Sequence, residues 1–312
     1  MCFAAASASG DDTPAVSKDE TVIPDHIIWS WRGKTIEIGV ESCGDGPLLI
    51  MLPAFSSIST RSEMRPLANE FASTFRTVCI DWPGFGDRRR PAIAWEPPAY
   101  RSFLRHILQE FSSPSAVVVA GHAAGYLLAH AAEHPHSAGK LCLLAPTWRG
   151  PLPTMLGERW RMFLPIARLI DLPVVGAVLY RLNVNKPMIR MMARGHVYAN
   201  PSWLDRDRLC QKLAVTKTRG ARYASFRFVA GALDPMLTRE SFLAVAQRVN
   251  DPILLIYGAA TPRRSKAEME ALAKLPGVQS CELPMGKLAI HEEFPSLVAE
   301  AIRSFLGRAP AA

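Results

Sequence analysis

The chain has 312 residues, of which 49% are hydrophobic and 21% charged, enough to bury a full core, either as one large domain with an insertion or as two small ones. Its formal charge of +8 comes from scattered Lys and Arg with no nucleic-acid motif around them, which argues against a nucleic-acid partner. The best apolar run, Leu172 to Tyr180, lies between Asp171 and Arg181 and falls short of the ~20 residues needed to cross a bilayer.

Residues 1–25 are Ala/Ser-rich and then acidic, without Arg. They match no targeting pattern and read as a disordered tail, with a trimmed or atypical targeting segment as the alternative; residues 309–312 read as a short C-terminal tail. His26 to Trp31 and Thr35 to Val40 alternate around a turn at Gly33 and predict an antiparallel hairpin. Leu48 to Leu52 is apolar throughout, as a strand covered on both faces must be. A helix over 62–72 follows, then a strand over 77–80, a helix over 100–110 and a strand at Ala116 to Ala120. A helix over 124–133 and a strand at Leu141 to Leu144 complete the series. Strands alternating with helices at this spacing specify an α/β fold with a mostly parallel, doubly wound sheet.

The rhythm breaks over 148–229, where prolines interrupt several helical stretches, and resumes with a strand at Ile253 to Gly258. A helix over 265–275, a strand at Val278 to Leu283 and a helix at Pro295 to Leu306 close the chain. Residues 26–147 and 230–308 therefore form the core, and 148–229 a helical cap over the C-terminal edge of the sheet. The six Cys are far apart, with no paired spacing and no clustered His. They read as free thiols, and neither a metal nor a cofactor is expected. Arg88-Arg89-Arg90 and Arg263-Arg264 read as solvated surface.

The order of parts from His26 to Leu306 resembles the α/β-hydrolase superfamily. The markers are Leu52-Pro53-Ala54-Phe55, Asp81-Trp82-Pro83-Gly84-Phe85-Gly86, Gly121-His122-Ala123-Ala124-Gly125 and Glu293-Phe294-Pro295. The segment 121–125 occupies the place of the nucleophile elbow, between a buried strand and a helix, and its small residues suit a tight, strained turn. That geometry is expected to be kept. Ala123 stands where the family carries its nucleophile, and Ala has no heteroatom with which to attack. The family's acid position, read from Gly258-Ala259-Ala260-Thr261, holds Thr261. Its histidine position, about five residues before Glu293, holds Leu288, with His291 three positions later.

The resemblance also implies an oxyanion hole built from the backbone N–H groups of Phe55 and Ala124, with Pro53 and Ala54 in place of the family's His-Gly. Such a hole would hold a carbonyl or an anion at the N-terminus of the following helix. The Gly-His-Ala-Ala turn and the segment Pro146-Thr147-Trp148-Arg149-Gly150-Pro151-Leu152-Pro153 are similar to a subgroup from photosynthetic organisms, which implies the cytoplasm or the plastid stroma.

These residues predict a protein that binds a small apolar or carbonyl-containing ligand without serine-hydrolase chemistry, with Pro53, Ala54, Phe55, Ala123, Ala124, Thr147 and Trp148 at the ligand. The alternative is an enzyme with relocated acid/base groups, drawn from His122, His291, Asp81 and Asp234. Each has a structural reading beside it. His122 suits hydrogen bonding to the cap, Asp81 holds the loop with Gly84 and Gly86, and Asp234 suits a turn or helix N-cap. Glu268 reads as a solvated helix face. The cap's apolar residues, among them Trp160, Phe163, Val174, Val178 and Met191, read first as packing. Where uncovered, they would line an apolar pocket or dock on a membrane surface.

Overall fold

The computed structural model describes residues 25–157 and 169–307. The N-terminal tail, the last residues and the cap positions 158–168, with Trp160 and Phe163, lie outside these described residues. An eight-stranded sheet has the order β1-β2-β4-β3-β5-β6-β7-β8. The opening hairpin, β1 (His26–Trp31) and β2 (Lys34–Cys43), is antiparallel, and β2 pairs antiparallel with β4 (Arg76–Ile80). All other pairings are parallel, through β3 (Leu48–Leu52), β5 (Ala116–Ala120), β6 (Lys140–Leu144), β7 (Ile253–Gly258) and β8 (Val278–Leu283).

The central strands are apolar on both sides because both sides are covered. Ile50, Val117, Val119, Leu141, Leu143 and Leu255 face one core, shared with α2 (Pro97–Glu110) and α3 (Ala123–Glu133). Leu49, Met51, Val118, Cys142, Leu254 and Ile256 face the other, shared with α1 (Arg65–Phe71) and the closing helix Pro295–Leu306. Burying both faces of β5, which has no solvent-exposed residue, fixes the start of α3 against the C-terminal edge of the sheet.

Helix α2 begins at Pro97, earlier than the residue pattern suggested. Pro97 and Pro98 occupy the first turn, where a missing N–H costs nothing. Between β6 and β7 run α4 (Pro151–Leu156), α5 (Pro173–Asn183), α6 (Lys186–Met192), α7 (Arg206–Thr216), α8 (Ala221–Val229) and α9 (Arg239–Gln247). Helix α9 was not anticipated. Thr238 caps it with a reciprocal bond to Ser241, and Phe242 and Ala246 bury its inner face. After β7 come α10 (Arg263–Ala273), β8, the short α11 (Ile290–Glu293) and α12 (Pro295–Leu306).

Arg90 corrects the reading of 88–90 as solvated surface: it is buried and donates to the carbonyls of Gly86 and Val215. Arg88 pairs with Asp25 and Glu37. Arg264 donates to the carbonyls of Thr154 and Met155, so it joins α10 to α4. Among the described residues Cys43, Cys79, Cys142, Cys210 and Cys281 are free thiols.

Candidate functional site

The turn after β5 does not keep the strained geometry expected of it. Positive φ falls on Gly121 (φ +56), His122 is already in helical backbone (φ −65, ψ −23), and Ala123 opens α3. A side chain at position 123 therefore starts from an ordinary helical residue, fully buried. Gly121 is required where it stands, because φ > 0 disfavours a Cβ and one there would lie 3.2 Å from Ala54 Cβ.

The expected oxyanion hole is also altered. Ala124 N–H donates to Gly121 O at 3.2 Å, so one of its two donors is spent within the turn. The other side is closed by aromatic rings. The Phe55 ring centroid lies 4.8 Å from Tyr100, 4.9 Å from Trp82, 5.0 Å from Phe85, 5.4 Å from Tyr126 and 5.5 Å from His122. Phe228, from α8, adds an edge 6.1 Å away. Pro53 contributes its carbonyl to Trp82 Nε1 at 2.9 Å. Pro53, Phe55, Ala123 and Ala124 are thereby packed together as core.

His122 and Asp234 meet. Nε2 donates to Leu233 O at 3.0 Å, which fixes the proton on that nitrogen because a carbonyl can only accept, and the same atom lies 3.5 Å from Asp234 Oδ1. Tyr126 OH donates to the same Leu233 carbonyl at 2.6 Å. Asp234 accepts the Gly150 N–H at 2.8 Å, so it ties the start of α4 to the loop between α8 and α9. Of the turn or N-cap its place in the chain suggested, it takes the turn, with its N–H on Gly231 O at 3.4 Å, while Thr238 caps the following helix.

Asp81 meets no imidazole. It accepts Arg61 N–H at 2.5 Å and Arg61 Nη1 at 2.7 Å, and a Cβ on Gly86 would overlap its carboxylate. Burial raises its carboxyl to about 6 against the opposing pull of Arg61. Thr261 is buried, with its N–H on Gly258 O and its hydroxyl without a partner. Leu288 packs against the main core. Thr147 donates its N–H to Gly121 O at 3.1 Å.

His291 lies elsewhere, in a buried cluster that residue spacing did not reveal. Lys212 of α7 places Nζ 2.7 Å from Glu63 Oε1 and 3.1 Å from Glu292 Oε2, and Tyr198 OH donates to Glu292 Oε1 at 2.8 Å. Neither nitrogen of His291 has a hydrogen-bond partner, and burial lowers its pKa to about 4. Burial raises Glu63 to about 7, aided by Glu292 and opposed by Lys212. Burial alone would lower Lys212, yet Glu292 and Glu63 hold it well above its ordinary value. Glu63, His291 and Glu292 bring ligand atoms within 4.8 Å of one another, a spacing that could hold a cation. The Lys212 ammonium already supplies the positive charge there. The three charged residues come from segments far apart in the chain, and no local motif signals their meeting.

A cavity of about 350 Å³ opens beside the sheet edge, lined by Trp148, Arg149, Pro153, Gly157, Asp234, Leu237, Thr238, Arg239 and Glu268. Of the anticipated residues only Trp148 and Asp234 reach it. Trp148 Nε1 and Arg149 Nε are buried without partners, and the Arg149 guanidinium lies 5.0 Å from the Trp148 ring centre. Glu268 is not on a solvated face: its carboxylate is held by Arg239 Nε at 2.8 Å and faces Arg149 Nη2 at 3.9 Å. The cavity thus sets the partly exposed Arg149 guanidinium beside an aromatic wall, a cation able to hold a carbonyl or carboxylate.

The sequence profile of the alpha/beta hydrolase family matches residues 49–301, and the chain belongs to that family. No curated protein sequence matches it. Among solved structures, a thermophilic esterase from Thermogutta terrifontis superposes with a TM-score of 0.68 at 16% identity, covering 91% of this chain and 98% of the esterase. A hydrolase from Pseudomonas aeruginosa gives 0.67 at 17% identity, covering 91% and 98% of the two chains. A bromoperoxidase from Bacillus anthracis gives 0.65 at 13%, covering 90% and 99%. These likenesses are of fold. No helix among the described residues is long and apolar enough to cross a membrane.

Proposed function

We propose that this chain is a non-hydrolytic member of its family: a ligand-binding protein in which 148–229 act as a cap on the core and Ala123, Thr261 and Leu288 take the places of nucleophile, acid and histidine. The observation that carries this reading is the backbone at the turn. Ala123 begins a relaxed helix and is buried, so the position lacks both the attacking atom and the strained exposure that would present one. Its resemblance to a subgroup from photosynthetic organisms, with the cytoplasm or plastid stroma as location, rests on the segments 121–125 and 146–153 alone.

The ligand this reading favours is small and carries a carbonyl or carboxylate, held in the 350 Å³ cavity by the Arg149 guanidinium against the Trp148 ring. The test is hydrolysis of p-nitrophenyl acetate and butyrate by the full chain and by Ala123→Ser. Neither should release product faster than buffer, and neither should show a burst. Turnover by the unaltered chain that His291→Ala abolishes, or a stoichiometric burst from Ala123→Ser, would refute the reading.

A second reading is favoured by the 3.5 Å approach of His122 to Asp234, whose carboxylate also lines the cavity. General acid/base chemistry by that pair would give turnover without a burst, lost in Asp234→Asn.

A further inference from the structure

Helix α5 (Pro173–Asn183) is amphipathic in the reverse sense. Its inward face is Gly176 and Tyr180: Gly176 lies so close to Ile170 O that a Cβ would clash, and Tyr180 packs with Ile170 and Ala221 while donating to Thr216 O at 3.2 Å. The opposite face carries Val174, Val178 and Leu182 at i, i+4 and i+8, with Val175 beside them. These side chains are 75%, 52%, 66% and 45% exposed respectively. A row of aliphatic side chains turned outward costs solubility and has no role in holding the helix, which Tyr180 already does.

Charge gathers around the same segment. Residues 150–229 contain fourteen Lys and Arg against four Asp and Glu, a net charge of +10 in a chain whose total is +8. Arg181 borders the aliphatic row, and Lys186, Arg190 and Arg194 follow within the next turns, all exposed. Among the described residues no carboxylate pairs with any of these four. The only described acid of 169–197, Asp171, is taken by Arg227 at 2.7 Å.

We propose that the outward face of α5 and its basic surround form a docking surface for an anionic lipid bilayer, with the helix lying in the plane of the interface. An aliphatic face bordered by unpaired cations is the pattern of an interfacial helix: the apolar row enters the acyl boundary while Lys and Arg meet acidic headgroups. Eleven residues are too few to span a bilayer, so the contact is peripheral. A protein partner fits less well, because the row holds no Trp, Tyr or Phe to anchor in a pocket.

The test is co-sedimentation of the full chain with vesicles of phosphatidylcholine alone and with a phosphatidylglycerol fraction, at low and high salt. Binding should require the anionic lipid and weaken with salt. Val174→Ser with Val178→Ser, and separately Arg181→Gln with Lys186→Gln and Arg190→Gln, should each weaken it by about tenfold or more. All these positions are exposed, and unchanged circular dichroism and melting would show the fold intact. Equal binding to neutral vesicles, no binding to either, or binding indifferent to both variant sets would overturn the proposal. So would a dimer in solution that the serine variant dissociates, since the face would then belong to a second copy of the chain.

Discussion

Asp234 Oδ1 accepts the Gly150 N–H at 2.8 Å and lies 3.5 Å from His122 Nε2, so a single buried carboxylate joins the turn after β5 to the segment before α4 and to the loop before α9. Removing it leaves the buried Gly150 N–H without its acceptor and takes the carboxylate from beside His122, which keeps the Leu233 carbonyl. Asp234→Ala should therefore lower stability by about 2–4 kcal/mol, while Asp234→Asn, which keeps an acceptor for Gly150, should lose less than half of that. Urea unfolding of both variants checks the order. Equal losses would mean that the charge, and not the hydrogen bond, is what the site requires.

Lys212 is the cation on which two buried carboxylates depend. Lys212→Met leaves Glu63 and Glu292 facing each other without it, and the expected loss is about 3–5 kcal/mol. Adding Glu63→Gln should recover part of that loss, because one of the two like charges is then gone. Because Lys212 comes from the helices between β6 and β7 and both acids from outside them, limited proteolysis should cut those helices in Lys212→Met before the sheet unfolds. A single cooperative loss of both parts would count against this.

The same cluster sets opposing pH responses. Glu63 has its folded pKa raised from 4.5 to about 7, so the stability it contributes is complete below pH 4.5 and is lost as pH rises through about 7. His291 has its folded pKa lowered from 6.5 to about 4, so its contribution is complete above pH 6.5 and is lost as pH falls through about 4. Between these limits the two slopes oppose, and the unaltered chain should show a shallow profile. His291→Gln leaves the Glu63 slope and should gain stability as pH falls from 7 toward 4.5. Glu63→Gln leaves the His291 slope and should lose it over the same range. Melting temperatures across pH 4.5–7 decide the matter, and slopes of the same sign in both variants would contradict it.

Much of the fold was legible because its causes are local. Leu48 to Leu52 and Ala116 to Ala120 are apolar on both sides because helices cover both sides, and all eight strands lie where their patterns put them. Helix α9 was not legible, because its cap is Thr238 with Ser241, without the acidic or amide partner that marks most capping boxes. Side-chain fates that depend on distant segments were legible least. Glu268 looked solvated because its neighbours in sequence are charged, but Arg149 and Arg239 reach it from the segment before α4 and from α9. Arg90 looked exposed within an Arg triplet, yet α7 supplies the Val215 carbonyl that takes it inward. The Glu63, Lys212 and Glu292 cluster shows the same limit, since charge pairing between segments so far apart in the chain leaves no trace in residue spacing.

The turn after β5 gives the sharpest contrast between pattern and backbone, and glycine substitution can test it. If Ala123 carried the strain expected of a nucleophile elbow, removing its Cβ would relieve that strain, and Ala123→Gly would stabilise the chain. The structure puts positive φ on Gly121 and begins α3 at Ala123. Ala123→Gly should then cost about 0.5–1 kcal/mol, as glycine does at a helical position. Gly121→Ala should cost about 1–2 kcal/mol from its left-handed backbone alone, and more as the new methyl meets Ala54 Cβ at 3.2 Å. Chemical denaturation of the pair distinguishes the two geometries by sign. A stabilised Ala123→Gly would return the strain to position 123 and remove the main support for a non-hydrolytic site.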